Sequence, residues 1–276
     1  MVRVAEPGVE AALAVSVGFM LSFKLRRDLG LFCPKFWRRQ TLKYHHHLRH
    51  RLKVTMIPAF DPHQARFNMI EQQIRPWDVN KPQVLELLGR VHRNDFVPDA
   101  YKELAFADME IPLPEGQCML TPKVEARILN DLNLKPTDRV LEVGTGSGFM
   151  AALLGHLSAS VLTLEVKPIL FEYAKRRLSS AQMSNVEVRL ADGSKGALNE
   201  APFDVIVLSG SVPEVPSALL NQLAPGGRLF AIVGQDPVMR GQFVTHSGSQ
   251  TFDVAQPWDT LAPRLIGFKE PSQFHF

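Results

Sequence analysis

The sequence predicts an α/β protein whose parallel sheet is covered by helices on both faces, and three observations carry that prediction. The run Val140-Leu141-Glu142-Val143-Gly144-Thr145-Gly146-Ser147-Gly148-Phe149 joins an apolar strand pattern to a glycine loop, and the apolar residues 150–157 continue it as a helix. Downstream, short apolar runs alternate with helical spacings, as parallel strands joined by crossovers do. Glu142, Glu165, Asp192 and Ser209 stand at the carboxyl ends of the predicted strands, where open α/β sheets bind their ligands.

Taken in order, residues 66–74 and 84–91 have helical spacing, and Pro76 and Pro82 mark breaks between them. They predict a helical cap ahead of the sheet. After the strand, glycine loop and helix of residues 140–157, residues 161–165 read as a strand and 168–178 as a helix. Residues 186–190 alternate before Ala191-Asp192-Gly193, and 203–208 form the next apolar run. A helix over 215–223, a turn at Pro225-Gly226-Gly227 and a strand over 228–233 follow.

At 276 residues and 45% hydrophobic content the chain is long enough for one large core or a core with an appended element, and it shows no internal repeat. The net charge of +3 is unevenly spread: residues 1–55 hold eleven Lys and Arg against three Asp and Glu, leaving twenty against twenty-five in the remainder. The basic excess therefore lies outside the predicted domain, and no nucleic-acid partner is expected. Residues 9–23 are apolar but interrupted by Glu10 and shorter than the roughly 20 residues of a membrane span, and they make a poor signal peptide, so no membrane partner is expected. Residues 32–53 read as a basic arm with Trp37 and Tyr44, and His45-His46-His47 with His50 as at most a weak metal binder; no metal site is predicted. The alternative for residues 1–55 is an unstructured leader or a misplaced start, with Met56 as the true first residue. Cys33 and Cys118 form neither a ligand set nor a disulfide framework, which fits a reducing cytosol, and Cys118 is not predicted to be a nucleophile.

The glycine loop narrows the ligand. A dinucleotide fingerprint needs its third glycine where Phe149 stands, and a P-loop needs a lysine that residues 140–166 lack. Without a basic residue nearby, a ligand carrying no phosphate fits better. Glu142, the Gly-x-Gly-x-Gly spacing and Glu165 ending the next strand resemble the loop of S-adenosyl-L-methionine-dependent methyltransferases. That resemblance implies cofactor binding by Glu142, Val143, Gly144, Thr145, Gly146, Ser147 and Gly148, the loop facing the amino-acid end and Glu165 accepting from both ribose hydroxyls. Each residue has a plainer alternative: a tight strand-to-helix turn, a loop cap at Glu142, a solvated strand end at Glu165.

Further motifs sharpen the resemblance. Arg93-Asn94-Asp95-Phe96-Val97-Pro98, Ala105-Phe106-Ala107-Asp108 and Ile111-Pro112-Leu113-Pro114-Glu115-Gly116-Gln117 precede the loop. Ala201-Pro202-Phe203-Asp204, Val212-Pro213-Glu214-Val215-Pro216 and Leu219 through Leu229 follow it. In this order, over roughly residues 66–234, they resemble the protein-L-isoaspartate O-methyltransferase family. The resemblance implies a Rossmann-like class I fold with a seven-stranded, mostly parallel sheet and an N-terminal helical cap. It divides the chain into a cap and acceptor-side segment at 56–120, a cofactor-binding core at 121–234 and diverged C-terminal strands at 235–276. It also implies S-adenosyl-L-methionine as cofactor, isoaspartyl proteins or peptides as substrate of a cytoplasmic enzyme, and Asp192 and Gly193 at the adenine, although that pair is also an ordinary turn; the oligomeric state is left open, with a monomer as one option.

Two segments depart from the family. Gly116-Gln117-Cys118-Met119-Leu120-Thr121-Pro122 places Leu120 where the family carries an active-site serine. Thr121 beside it either offers a substitute hydroxyl or caps the helix opened by Pro122. Leu120 and Thr121 are thus the candidate catalytic positions. Ser209-Gly210-Ser211 replaces Thr-Ala-Ala, and beyond Gly234 the tail departs from the closing strand that helps hold the peptide. These departures keep open a methyltransferase with another acceptor and a non-catalytic cofactor-binding module.

Overall fold

The computed structural model describes residues 60–248 and 251–270. The basic leader, the apolar stretch, the histidine run, Cys33 and the Met56 start all fall outside the described residues. Helix α1, Pro62–Asn68, begins earlier than the 66–74 spacing predicts, because Asp61 accepts the His63 N–H at 2.9 Å and Pro62 takes the first helical position. It runs on through a wider turn at Met69–Ile74. Helix α2, Pro82–Arg90, buries Val84, Leu85, Leu87 and Leu88 on one stripe, the spacing of a surface helix.

A small antiparallel pair, β1 at Ile111–Pro112 and β2 at Cys118–Met119, leads to α3 at Pro122–Leu132. The main sheet then begins with β3, Arg139–Val143, and continues through α4 at Phe149–Leu157, β4 at Ser160–Glu165, α5 at Pro168–Ser180 and β5 at Val186–Leu190. It is completed by β6 at Phe203–Val212, α6 at Ser217–Leu220, β7 at Leu223–Gln235, β8 at Val238–Gly248 and β9 at Thr251–Asp259. The seven strands lie in the order β5-β4-β3-β6-β7-β8-β9, parallel from β5 to β7 and antiparallel across β7-β8-β9. This is the predicted Rossmann-like, mostly parallel sheet.

The order reverses between β3 and β6: the chain runs from β3 outward to β4 and β5 and then returns to β6 on the other side, which opens a crevice at the carboxyl ends of β3 and β6. Side chains alternate across the sheet: Val140, Val161 and Val205 enter a core with α2, α3, α4 and α5, whereas Leu141, Leu162 and Ile206 enter a second with α6.

Two predicted elements are corrected. The helix over 215–223 shrinks to the single turn of α6, since Pro213 and Pro216 lack N–H groups and Gln222 is spent on the fold, accepting the Ala197 N–H at 2.8 Å and donating to Lys195 O and Ala218 O. The Pro225-Gly226-Gly227 turn lies inside β7 as an irregularity in its pairing with β6. The tail closes the sheet with two long antiparallel strands. Among the described residues no helix is long and apolar enough to cross a membrane.

Candidate active site

At the carboxyl end of β3 the chain leaves the sheet through Gly144, whose φ of +93° and close approach to the tail both require glycine: a Cβ there would lie 2.7 Å from Leu265 Cδ2. The loop is held from the neighbouring strand. Glu165, 5% exposed at the end of β4, accepts the Gly146 N–H at 2.8 Å and the Lys167 N–H at 3.0 Å. Its two oxygens therefore tie the glycine loop to the turn that opens α5. Thr145 Oγ1 meets Thr163 Oγ1 at 2.6 Å, and Ser147 Oγ accepts the Phe149 N–H at the start of α4.

These elements line a cleft that opens to solvent. Of the residues singled out in the sequence, Val143, Gly144, Gly146, Glu165 and Gly193 line it. Thr145 and Ser147 are buried and hold the loop's shape, while Gly148 ends it at φ +84° as the N-cap of α4. Asp192 is exposed and accepts the Ser194 N–H at 2.9 Å, capping the turn after β5.

Glu142 lies behind the loop, fully buried, with Oε1 accepting from Ser209 Oγ at 2.7 Å and Oε2 from Thr163 Oγ1 at 2.6 Å. Burial pushes its carboxyl up to about 7 against the opposing pull of these two hydrogen bonds. A carboxyl raised on folding favours the folded state at or below its ordinary value near 4.5, and that advantage is lost as the pH climbs to 7. Glu142→Gln keeps the site neutral, and the hydroxyl of Ser209 or Thr163 can turn to accept the amide N–H. The stability of the variant relative to the parent should therefore rise by about 3 kcal/mol between pH 4.5 and pH 8. Urea unfolding over that range checks it, and parallel curves would refute the assignment.

The candidate catalytic positions fall elsewhere. Leu120 is 6% exposed and packs in the core, leaving only its carbonyl to a polar partner, Arg93 Nη2 at 2.6 Å. Thr121 stands at the N-cap of α3 but makes no capping bond, and its Oγ1 is buried without a partner. The capping alternative is therefore corrected: no N–H of the first turn bonds to the hydroxyl. The acceptor-side segment instead contributes Gln117 and Cys118 to the cleft. Cys118 Sγ lies 3.4 Å from Glu110 Oε2, and burial together with that carboxylate pushes the thiol up to about 12. It stays protonated at neutral pH, so it is no nucleophile.

Sequence reasoning missed the wall supplied by the tail. Ser211 N–H donates to Pro263 O at 2.8 Å and Leu265 N–H to Ser211 O at 2.9 Å, which lays residues 263–265 beside the end of β6 and brings Leu265 and Ile266 to the cleft. No motif marks them. The serines of Ser209-Gly210-Ser211 were legible as hydroxyls near the pocket, and Ser209 does line it.

The geometry is a glycine-walled cleft at a topological switch point, with a carboxylate at the next strand end. Comparison with known proteins agrees with it. The model of the protein-L-isoaspartate(D-aspartate) O-methyltransferase family matches residues 64–256, so the match runs past Gly234 into about half of the tail that the sequence alone read as divergent. A protein-L-isoaspartate O-methyltransferase of Koribacter versatilis is 40% identical over 202 residues, 73% of this chain and 90% of the relative. One of Brucella anthropi is 34% identical over 207 residues, 75% and 95% of the two chains. A Plasmodium falciparum structure assigned to the same family, in complex with S-adenosyl-L-homocysteine, shares the fold with a TM-score of 0.62 at 20% identity, covering 74% of this chain and 98% of that one. With motifs, sheet order and cleft in agreement over this length, the chain belongs to the protein-L-isoaspartate(D-aspartate) O-methyltransferase family.

Proposed function

We propose that this chain binds S-adenosyl-L-methionine in the cleft and transfers its methyl group to the free carboxylate of L-isoaspartyl residues in proteins. The observation that carries the cofactor is the chemistry of the lining: it contains no Lys or Arg and has Glu165 as its carboxylate. Such a wall suits a cationic sulfonium and a ribose diol and offers no cation to a phosphate. Glycines 144, 146 and 193 let the backbone come close to the ligand, and Glu165 is placed to accept from its hydroxyls.

When bound, S-adenosyl-L-methionine supplies an electrophilic methyl on sulfur. An acceptor carboxylate, with a pKa near 4, is already ionised at pH 7, so the chain needs no general base. Its contribution is orientation: the glycine loop and Glu165 on one side, Gln117 and the neutral Cys118 thiol on the other, hold two reactants in line. The cysteine usage supports a cytosolic setting, and we assign residues 56–276 as the catalytic unit.

The test is transfer of radiolabelled methyl from S-adenosyl-L-methionine to an isoaspartyl peptide, with the aspartyl peptide as control and a chain starting at Met56 alongside. Base-labile label on the isoaspartyl peptide alone is expected, equally with both chains. Absence of label despite calorimetric cofactor binding would overturn the acceptor and favour another carboxylate or a small molecule, a reading motivated by Leu120 at the family's serine position.

A further inference from the structure

Among the described residues the largest polar side chain buried outside the cleft is Arg93, 1% exposed, paired through Nη1 with Glu125 Oε2, itself 3% exposed on α3. Its other terminal nitrogen donates to Leu120 O at 2.6 Å, and its guanidinium sits over the ring of Phe149, 5.1 Å from the centroid. Phe149 is the first residue of α4, directly after the glycine loop. One side chain thus touches both halves of the site: the main chain of the acceptor-side segment and the helix that continues the cofactor loop.

Stability alone does not account for this arrangement. Withdrawing two charges from water costs several kcal/mol each, and apolar replacements of similar volume are often neutral or better. Arg93 Nε is buried without a partner, so the guanidinium is not even fully satisfied. What an apolar pair cannot do is hold a carbonyl. The segment that needs holding is short of its own hydrogen bonds, since β1 and β2 pair over only two residues each, Ile111 with Met119 and Pro112 with Cys118. Leu120 follows directly, and Gln117 and Cys118, just before it, line the cleft.

We propose that Arg93, fixed by Glu125, is a positioning residue for methyl transfer: it pins the main chain at Leu120 and thereby sets Gln117 and Cys118 against the cofactor loop. The proposal rests on the methyl-transfer reading above for its kinetic arm. At the position where the family offers a hydroxyl, this chain orients the segment through its backbone.

The experiment replaces the pair by apolar residues, Arg93→Met with Glu125→Leu. The midpoint of thermal unfolding should stay within a few degrees of the parent, and the Kd for S-adenosyl-L-homocysteine within threefold. The kcat on an isoaspartyl peptide should fall about a hundredfold, the scale of a small misplacement of bound reactants. Amide hydrogen exchange at residues 118–121 should quicken at least tenfold, with the glycine loop unchanged. Arg93→Lys, whose single ammonium cannot hold Glu125 and the carbonyl in a planar fork, should lose about tenfold in kcat at unchanged cofactor affinity, and it decides the matter if the double variant does not fold. Parent-like kcat, parent-like exchange, or cofactor affinity falling by the same factor as turnover would each overturn the proposal. A parent enzyme that does not methylate the peptide would sink the acceptor assignment, and the exchange measurement would still decide whether Arg93 pins the segment.

Discussion

Gly146→Val is expected to raise the Kd for S-adenosyl-L-homocysteine at least a thousandfold, a loss of about 4 kcal/mol. Three effects add. Residue 146 sits at φ +55°, a left-handed conformation that a β-branched side chain adopts at a cost of about 1–2 kcal/mol. A Cβ there would already touch Leu113 Cδ1 at 3.5 Å, so the two further methyl groups must push into Leu113 or into the cleft that residue 146 lines. Either movement strains the 2.8 Å bond from the 146 N–H to Glu165, the acid assigned to the ribose. Gly146→Ala, which bears the conformational cost without the branching, should lose roughly tenfold, in line with about 1 kcal/mol. Calorimetric titration of both variants checks the pair. Unchanged affinity in the valine variant would place the cofactor elsewhere.

Leu120→Ser, the substitution that restores the family's residue, is expected to destabilise the protein by about 4 kcal/mol and to give no gain in isoaspartyl turnover. The leucine is packed in the core, so its loss removes transfer free energy and leaves a cavity, about 2–5 kcal/mol for shortening a buried leucine. The new hydroxyl would be buried in that apolar core, and an unsatisfied group costs about 1–3 kcal/mol more. Partial relaxation of the cavity keeps the total near the lower end of the combined range. Urea unfolding and peptide kinetics on one preparation settle both halves. A tenfold gain in kcat/KM would show that the side chain at 120 reaches the acceptor after all.

The contrast between these two positions shows which parts of the site were legible. The glycine loop could be read because its local conformation dictates its residues: left-handed backbone and close approach leave glycine at 144 and 146 whatever the surroundings. Glu165 was legible for a related reason, since strand ends in a doubly wound sheet converge on one crevice. The strands at 161–165 and 186–190 likewise announced themselves through short apolar or alternating runs. What failed depended on distant packing. Leu120 faces the core while its carbonyl is held by a guanidinium 27 residues earlier in the chain, and no spacing rule connects them. The helix over 215–223 was overextended because its apolar spacing hid the demand on Gln222, whose amide is needed by residues 195, 197 and 218. Leu265 and Ile266 lay beyond any motif.

Leu265 comes 121 residues after Gly144, yet the two side by side form one wall of the cleft. Chain synthesis runs from the amino end, so the glycine loop, Glu165 and the parallel strands leave the ribosome well before that wall exists. A nascent chain that has passed residue 235 can assemble the parallel strands and still present an open groove rather than a pocket. Ligand binding stabilises only the state that binds, so the full stabilisation by the cofactor comes once residues 263–266 have emerged and docked along Ser211. Until then the young protein depends on its own core.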